Sequence, residues 1–484
     1  MKNSATQIGL IALSSFLFLT LALLFVSFAK PLLQANLLEE SLQIPAADLP
    51  LNYETRLSKG DQLFENGYYK LAAAEYSIAI SLEESEEEAY SKLGGAYLKM
   101  GAYADALGSF KRAYELRPSD ETRVAVAVGL MRVKDFAAAK SLLEEGNVED
   151  QATVFYLGLI EMAFGNFEEA ERKIEKAADL SGNLANGLIQ PFQSAFLTYK
   201  EQQGAQLITL KALLTKALID ADEYPLAEDL GLQILNEKND YRDVWILLGY
   251  AELKMEKFME AEDAFKQAKK LDAVKPETHY FLGLAHFEQE EYEEAVDAFE
   301  LALLYDFEPE GEAYRKLAES QNKLGRYEDA LAAYEYLTKI DAGDFTLFEE
   351  ALRLSMEELG DLDRALTLAK EGVSSFPQNA EAYAALAAVH LSRGELEEAN
   401  EAIDSAFDLD PNLAIAHYTA GLLRLAQNNK DGAQWEFKKA YELANPGDAL
   451  SIEAAKQYNA LNLSEQENPG CSLLFSCVLS WVGF

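Results

Sequence analysis

A chain of 484 residues, 49% of them apolar, can bury a large core, which excludes intrinsic disorder. Lys and Arg total 42 against 82 Asp and Glu, a formal charge of −40, and with no basic run to offset it this excludes nucleic-acid binding. Cys471 and Cys477 are the only 2 cysteines, too few for a disulfide framework or a zinc ribbon.

The first element is an uncharged run that begins at Ile8 and ends at Ala29, 22 residues rich in Leu, Phe and Ile. At ~1.5 Å per residue it reaches about 33 Å, enough for a hydrocarbon core of ~30 Å. It predicts a transmembrane anchor over residues 1–30. The competing reading is a cleaved signal sequence, because Ser27, Phe28 and Ala29 form a small-x-small site. The apolar run is longer than the ~7–15 residues usual for such signals, which favours the anchor. Lys2 and the terminal amine slightly outweigh Lys30. The positive-inside bias then places the body outside the cytoplasm, periplasmic or exported in a bacterium. Residues 31–52, with Pro31, Pro45 and Pro50, read as a stalk.

From residue 53 onward the chain repeats itself. An alanine column runs through Ala72, Ala106, Ala139, Ala170, Ala227, Ala261, Ala295, Ala330, Ala365, Ala399 and Ala433, at spacings of 34, 33, 31, 57, 34, 34, 35, 35, 34 and 34. Three residues before these stand Tyr69, Tyr103, Phe136, Phe167, Tyr224, Phe258, Tyr292 and Tyr327, then Leu362, Leu396 and Lys430. A period near 34 held over eleven units is the mark of a solenoid of two-helix repeats. Gly94, Gly158, Gly249, Gly283 and Gly421, with Ala318 and Ala387, fall where a first helix meets a second, and only small side chains allow that approach. Pro118, Pro377 and Pro411 are expected to close second helices.

The array resembles the tetratricopeptide repeats. Tyr90, Leu93, Gly94, Tyr97, Gly101, Tyr103, Ala106, Phe110, Ala113 and Pro118 stand at that family's signature spacings, and Trp245, Leu248 and Gly249 open another unit in the same way. The first-helix glycine is missing from the units near 120–150, 208–241 and 346–379. The expected fold is all-α: one transmembrane helix, then a right-handed superhelical solenoid of about eleven helix pairs. A first block covers 53–180 and a second 208–447. The step of 57 leaves a surplus of 23 residues between them, an insertion over 181–207 carrying Pro191, Phe192, Phe196 and Tyr199. It is expected to be an extra helix covering the junction, with a partner-docking insertion as the alternative. Residues 448–463 read as a capping helix. Residues 464–484 form a tail whose last part, from Cys471 to Phe484, is apolar and too short to span a bilayer.

Catalysis finds no support. His279, His286, His390 and His417 take first-helix positions four and eleven, where Tyr90 and Tyr97 stand in the clearest unit, and read as core residues rather than ligands or bases. No nucleophile elbow, phosphate loop, dinucleotide fingerprint or calcium loop occurs, so no enzyme, no cofactor, no metal and no small-molecule substrate is expected. The acidic runs read as a solvated face, with docking of a basic partner as the alternative.

The resemblance implies protein–protein interaction through the inner surface, which the family lines with first-helix positions five, nine and twelve. Those positions give Phe155, Leu159 and Met162; Ile246, Tyr250 and Leu253; Tyr280, Leu284 and Phe287; and Tyr418, Leu422 and Leu425. They are apolar and lack the Lys and Asn with which the family clamps a partner's terminal carboxylates. Only Arg315, Glu319 and Asn322 make a polar set. The implied partner is an apolar or amphipathic helical segment, unless these residues are buried between helices. The implied role is a membrane-anchored scaffold in the assembly of an envelope or membrane-associated complex. A regulatory or quality-control adaptor that recruits an enzyme to the membrane is the alternative.

Overall fold

The computed structural model describes residues 52–147, 149–180, 187–341, 343–445 and 448–463. The expected anchor, the stalk up to residue 51 and the apolar tail lie outside the described residues. Among the described residues no helix is long and apolar enough to cross a membrane. Those up to Ala333 belong to one compact unit and those from Tyr334 to a second.

The first unit opens with four helix pairs: α1 (Tyr53–Glu65) and α2 (Tyr69–Leu82), α3 (Glu87–Lys99) and α4 (Tyr103–Leu116), α5 (Asp120–Arg132) and α6 (Phe136–Glu144), α7 (Gln151–Ala163) and α8 (Phe167–Asp179). A single helix, α9 (Gln190–Glu201), interrupts the pairing. It resumes with α10 (Leu207–Asp220) and α11 (Tyr224–Glu237), α12 (Arg242–Lys254) and α13 (Phe258–Leu271), and α14 (Pro276–Glu288) and α15 (Tyr292–Leu304). Then come α16 (Glu310–Lys323) and α17 (Tyr327–Ile340), in which the unit boundary falls. The second unit continues with α18 (Thr346–Arg353) and α19 (Leu362–Ser375), α20 (Ala380–Ser392) and α21 (Leu396–Leu409), α22 (Ala414–Ala426) and α23 (Lys430–Leu443), and α24 (Ala449–Leu463).

The sequence columns map onto this order. The aromatic column supplies the first residue of every second helix from Tyr69 to Tyr327, and Leu362, Leu396 and Lys430 continue it. The alanine column is buried at all eleven positions. Pro118, Pro377 and Pro411 each lie two residues beyond the end of a second helix. First helices turn into second ones through a residue in the left-handed region: Gly67, Gly101, Gly165, Gly325, Gly360 and Gly394 in six turns, but Lys134, Asp222, Glu256, Glu290 and Asn428 in five. Ten of these turns are closed by an amide bonding the carbonyl five residues back, as in Asp135 to Leu130 (2.9 Å) and Glu291 to His286 (2.9 Å), while at Gly360 the amide of Asp361 reaches Ser355, six back.

Close approach within a pair has a physical cause that the sequence shows only in part. A Cβ on Gly94 would stand 2.5 Å from Phe110, on Gly249 2.7 Å from Phe265, on Gly283 2.6 Å from Phe299 and on Gly421 2.6 Å from Phe437. The space each glycine leaves is filled by an aromatic ring sixteen residues later on the second helix. Gly60 plays the same part for Tyr76, at 2.4 Å, in the first unit, whose glycine the sequence reading did not name. Where the first-helix glycine is missing, Ala127 replaces it on α5, while the α10–α11 pair carries Thr215 on the first helix and Gly231 on the second. In the 346–379 unit the first helix ends in a π-turn over Leu354–Glu358, which adds a residue and shifts the register.

Candidate protein-interaction surface

First helices of successive pairs also touch each other: α12 packs on α14 and α14 on α16, so their inward positions form one strip. Ile246, Tyr250, Leu284 and Phe287 are half-buried along it. Tyr250 meets Phe281 edge-on at 5.3 Å, and Phe287 meets Tyr292 at 5.5 Å, which fixes both rings. Two cations lie over the strip, Lys254 Nζ 5.4 Å from the Tyr250 ring and Lys316 Nζ 4.9 Å from the Phe287 ring. On α16, Arg315, Glu319 and Asn322 are half-buried, and Lys316 pairs with Glu319 at 2.6 Å. The other two inward residues of this stretch are core: Leu253 is buried, and Tyr280 stacks on Phe307 at 4.2 Å with 8% exposure. In the second unit Leu422 and Leu425 are half-buried, whereas Tyr418 is buried against Phe437 at 5.5 Å.

The set on α7 is enclosed. Phe155 and Leu159 are 0% and Met162 2% exposed, and the insertion and the next repeat pair both contribute to this face. Phe192 of α9, itself fully buried, meets Phe155 edge-to-face at 5.6 Å. Met162 and Ala163 line a partly open cavity of about 240 Å3 with Phe136, Leu218, Leu226 and Leu230, and Asp229 and Gln233 add its polar lining. Ion pairs hold α11 there. Arg132 forms a buried pair with Glu223, Lys134 reaches Asp229 (2.7 Å) and Glu228 (3.2 Å), Lys99 reaches Asp222 (3.1 Å), and Lys257 meets Glu228 at 2.6 Å. The inward face at α7 is therefore occupied by the chain itself, and the accessible strip of the first unit is that of α12, α14 and α16.

The four histidines are buried, as their register predicts, but each is also hydrogen-bonded. His279 Nε2 lies 2.8 Å from the Ala273 carbonyl and His417 Nδ1 2.7 Å from Glu436. His286 Nδ1 lies 2.7 Å from Glu291 and His390 Nδ1 2.6 Å from Glu395. Burial holds the His279 imidazole below its ordinary pKa. Sequence reasoning also missed a polar column at the repeat junctions. The fifth residue of a second helix faces the eleventh residue of the next first helix and the residue just before the second helix that follows. Lys140, Glu161 and Asn166 form one such trio, with Lys140 and Asn166 each 2.8 Å from Glu161. Glu228, Glu252 and Lys257 occupy the same places in a later junction. Glu252 is 7% exposed, and its Oε2 has no hydrogen-bond partner. Burial first, and Glu228 next, push its carboxyl up to about 7. The period of 34 could have exposed this column had polar positions been aligned as the alanines were.

Residues 57–121 and 246–309 match one tetratricopeptide-repeat family model, and residues 357–420 match a second. These three stretches are tetratricopeptide repeats. Over 90 residues it is 30% identical to the Protein SGT1 homolog of Oryza sativa subsp. japonica, a match over 18% of this chain that spans about a quarter (24%) of that relative's length. Among solved structures it is similar to YrrB, described as a tetratricopeptide-repeat protein with an unusual peptide-binding site. The identity is 22% over 38% of this chain and 95% of that one, with a TM-score of 0.33. It is also similar to yeast Tom70, at 16% identity over 86% of this chain and 96% of that one, with a TM-score of 0.30.

Proposed function

We propose that the repeat array is a membrane-tethered scaffold that holds protein components of an envelope or membrane-associated complex, taking an apolar or amphipathic helical segment of a partner. The observation that carries this reading is the half-buried strip Ile246, Tyr250, Leu284 and Phe287 on adjacent first helices. Its aromatic rings are fixed by neighbours, and cationic stems flank it. Rigid aromatics set in a half-covered strip are the residues from which binding hot spots are made, and a strip repeated on successive helices suits an extended segment. The uncharged run over residues 8–29 supports the tether, and the charge flanking it supports a body outside the cytoplasm. The test replaces Tyr250 and Phe287 by Glu in the full chain, then compares co-purification from detergent-solubilised membranes with thermal melting. Lost partners with unchanged melting support the strip. Retained partners, or melting lowered to the point of misfolding, overturn it.

A further inference from the structure

The junction trios differ in charge, and one of them has a donor set of its own. Where α13 meets α14 the three residues are Glu262, His286 and Glu291, with one ligand atom from each lying within 4.8 Å of the others. His286 Nδ1 and Glu291 Oε2 are 2.7 Å apart. Gln289 donates to Glu262 Oε2 at 3.0 Å and to the Ala285 carbonyl at 3.2 Å, which steadies the carboxylate from behind. Lys266, one turn along α13, ion-pairs with the other oxygen, Oε1. The Glu262 and His286 side chains are 14% and 11% exposed, while Glu291 is 47% exposed and opens the cluster to solvent.

We propose that Glu262, His286 and Glu291 form a divalent-cation site of the zinc class at the α13–α14 junction. Two carboxylate oxygens and one imidazole nitrogen suit late first-row cations, whereas calcium and magnesium take oxygen alone. Three protein ligands around such an ion leave a fourth position for water. Metal bonds of ~2.0–2.2 Å set tetrahedral ligand atoms about 3.3–3.6 Å apart. The cluster reaches that spacing by opening the 2.7 Å His286–Glu291 contact and drawing Glu262 inward, with Nδ1 of the imidazole turned to the ion as its ligand atom. A bound ion would fasten the second helix of one repeat to the first helix and turn of the next. This inference is independent of the scaffold reading, since it concerns no partner.

The chain contains its own control. His390 and Glu395 repeat the pair at 2.6 Å in the second unit, but Leu366, which offers no ligand atom, stands where Glu262 would be, and Arg393 occupies Glu395 at 2.9 Å. Only the site with the second carboxylate should bind. The experiment titrates ZnCl2 into the EDTA-treated full chain by calorimetry, with Cys471→Ser and Cys477→Ser to remove competing thiolates, and follows melting in parallel. One saturable site in the micromolar range is expected, with a raised melting temperature. Glu262→Gln and the solvent-facing Glu291→Gln should each weaken it at least tenfold, and His390→Ala should leave it unchanged. Lys266→Met removes the competing ammonium and should tighten it several-fold, which a merely structural cluster would not show. Absence of saturable binding, or zinc binding that Glu262→Gln and Glu291→Gln leave intact, overturns the assignment.

Discussion

Gly94 and Gly95 are neighbours on α3, yet the packing assigns them opposite roles. A Cβ on Gly94 would lie 2.5 Å from Phe110 Cε1, 2.6 Å from Cδ1 and 2.9 Å from Cζ, against ordinary carbon contacts of ~3.5–4.0 Å. Phe110 is 5% exposed and packed in the core, so the ring has to shift by about 1 Å against other core side chains. A Cβ on Gly95 meets nothing within 4 Å. Alanine in place of a mid-helix glycine gains about 1 kcal/mol from backbone entropy at either site. Overpacking costs about 1–3 kcal/mol at Gly94 alone. The propensity gain cancels between the two variants, so Gly94→Ala should be less stable than Gly95→Ala by about 1–3 kcal/mol, a difference of about 5- to 150-fold in local opening. Hydrogen exchange of the α3 and α4 amides reads this locally, which matters because a repeat array opens in parts. In a Phe110→Leu background the penalty at Gly94 should shrink, because the ring that imposes it is gone. Equal protection in Gly94→Ala and Gly95→Ala would refute the ring-on-glycine packing.

Glu252→Gln tests the buried carboxyl. Its folded pKa of about 7 stands above its ordinary 4.5, so the stabilising protonated form is complete at low pH and is lost as pH rises through about 7. Four charged groups act on it, Glu228 from α11, Lys257 from the turn, and Glu260 and Asp263 from α13. The variant should melt higher than the parent at pH 8 and lose the slope between pH 4.5 and 7 that thermal scans follow. Glu256→Gly, at a turn with φ of 59°, should gain about 0.5–1 kcal/mol in urea unfolding. Asn428→Gly at the same φ should be nearly neutral, because asparagine tolerates that region. Arginine in place of both Leu21 and Leu24 should release the full-length chain from carbonate-washed membranes, each charge costing about 2.5–3.5 kcal/mol at the bilayer centre. Recovery of a mature chain starting at Lys30 would contradict the anchor.

The helix pairs were legible because their determinants are local and periodic. An alanine at one face recurs in all eleven units, an aromatic at the first residue of the second helix in eight and a proline after its end in three, and each acts on neighbours within one repeat. The packing behind the glycines was half legible: Gly283 marks a close approach, but its partner Phe299 is identified only when both helices are set side by side. The extra helix over this junction was expected from the surplus of 23 residues, but the contact its Phe192 makes with Phe155 across 37 residues of sequence was not legible. Neither was the π-turn at Leu354–Glu358, where a single added residue moves the first helix out of register without changing the composition. The junction trios were hidden because their members come from two repeats and differ in residue type from one junction to the next.

The most direct test of a partner-binding strip is site-specific photocrosslinking in native membranes, with the photoreactive residue placed in turn at Phe287, at Tyr250 and at Met259. Met259 is 73% exposed on the second helix α13 and serves as the outward control. The account predicts crosslinks from positions 250 and 287 to the same discrete protein, mapped to an apolar or amphipathic segment of it, and none from position 259. Equal labelling at all three positions, or crosslinks at 259 alone, would contradict it.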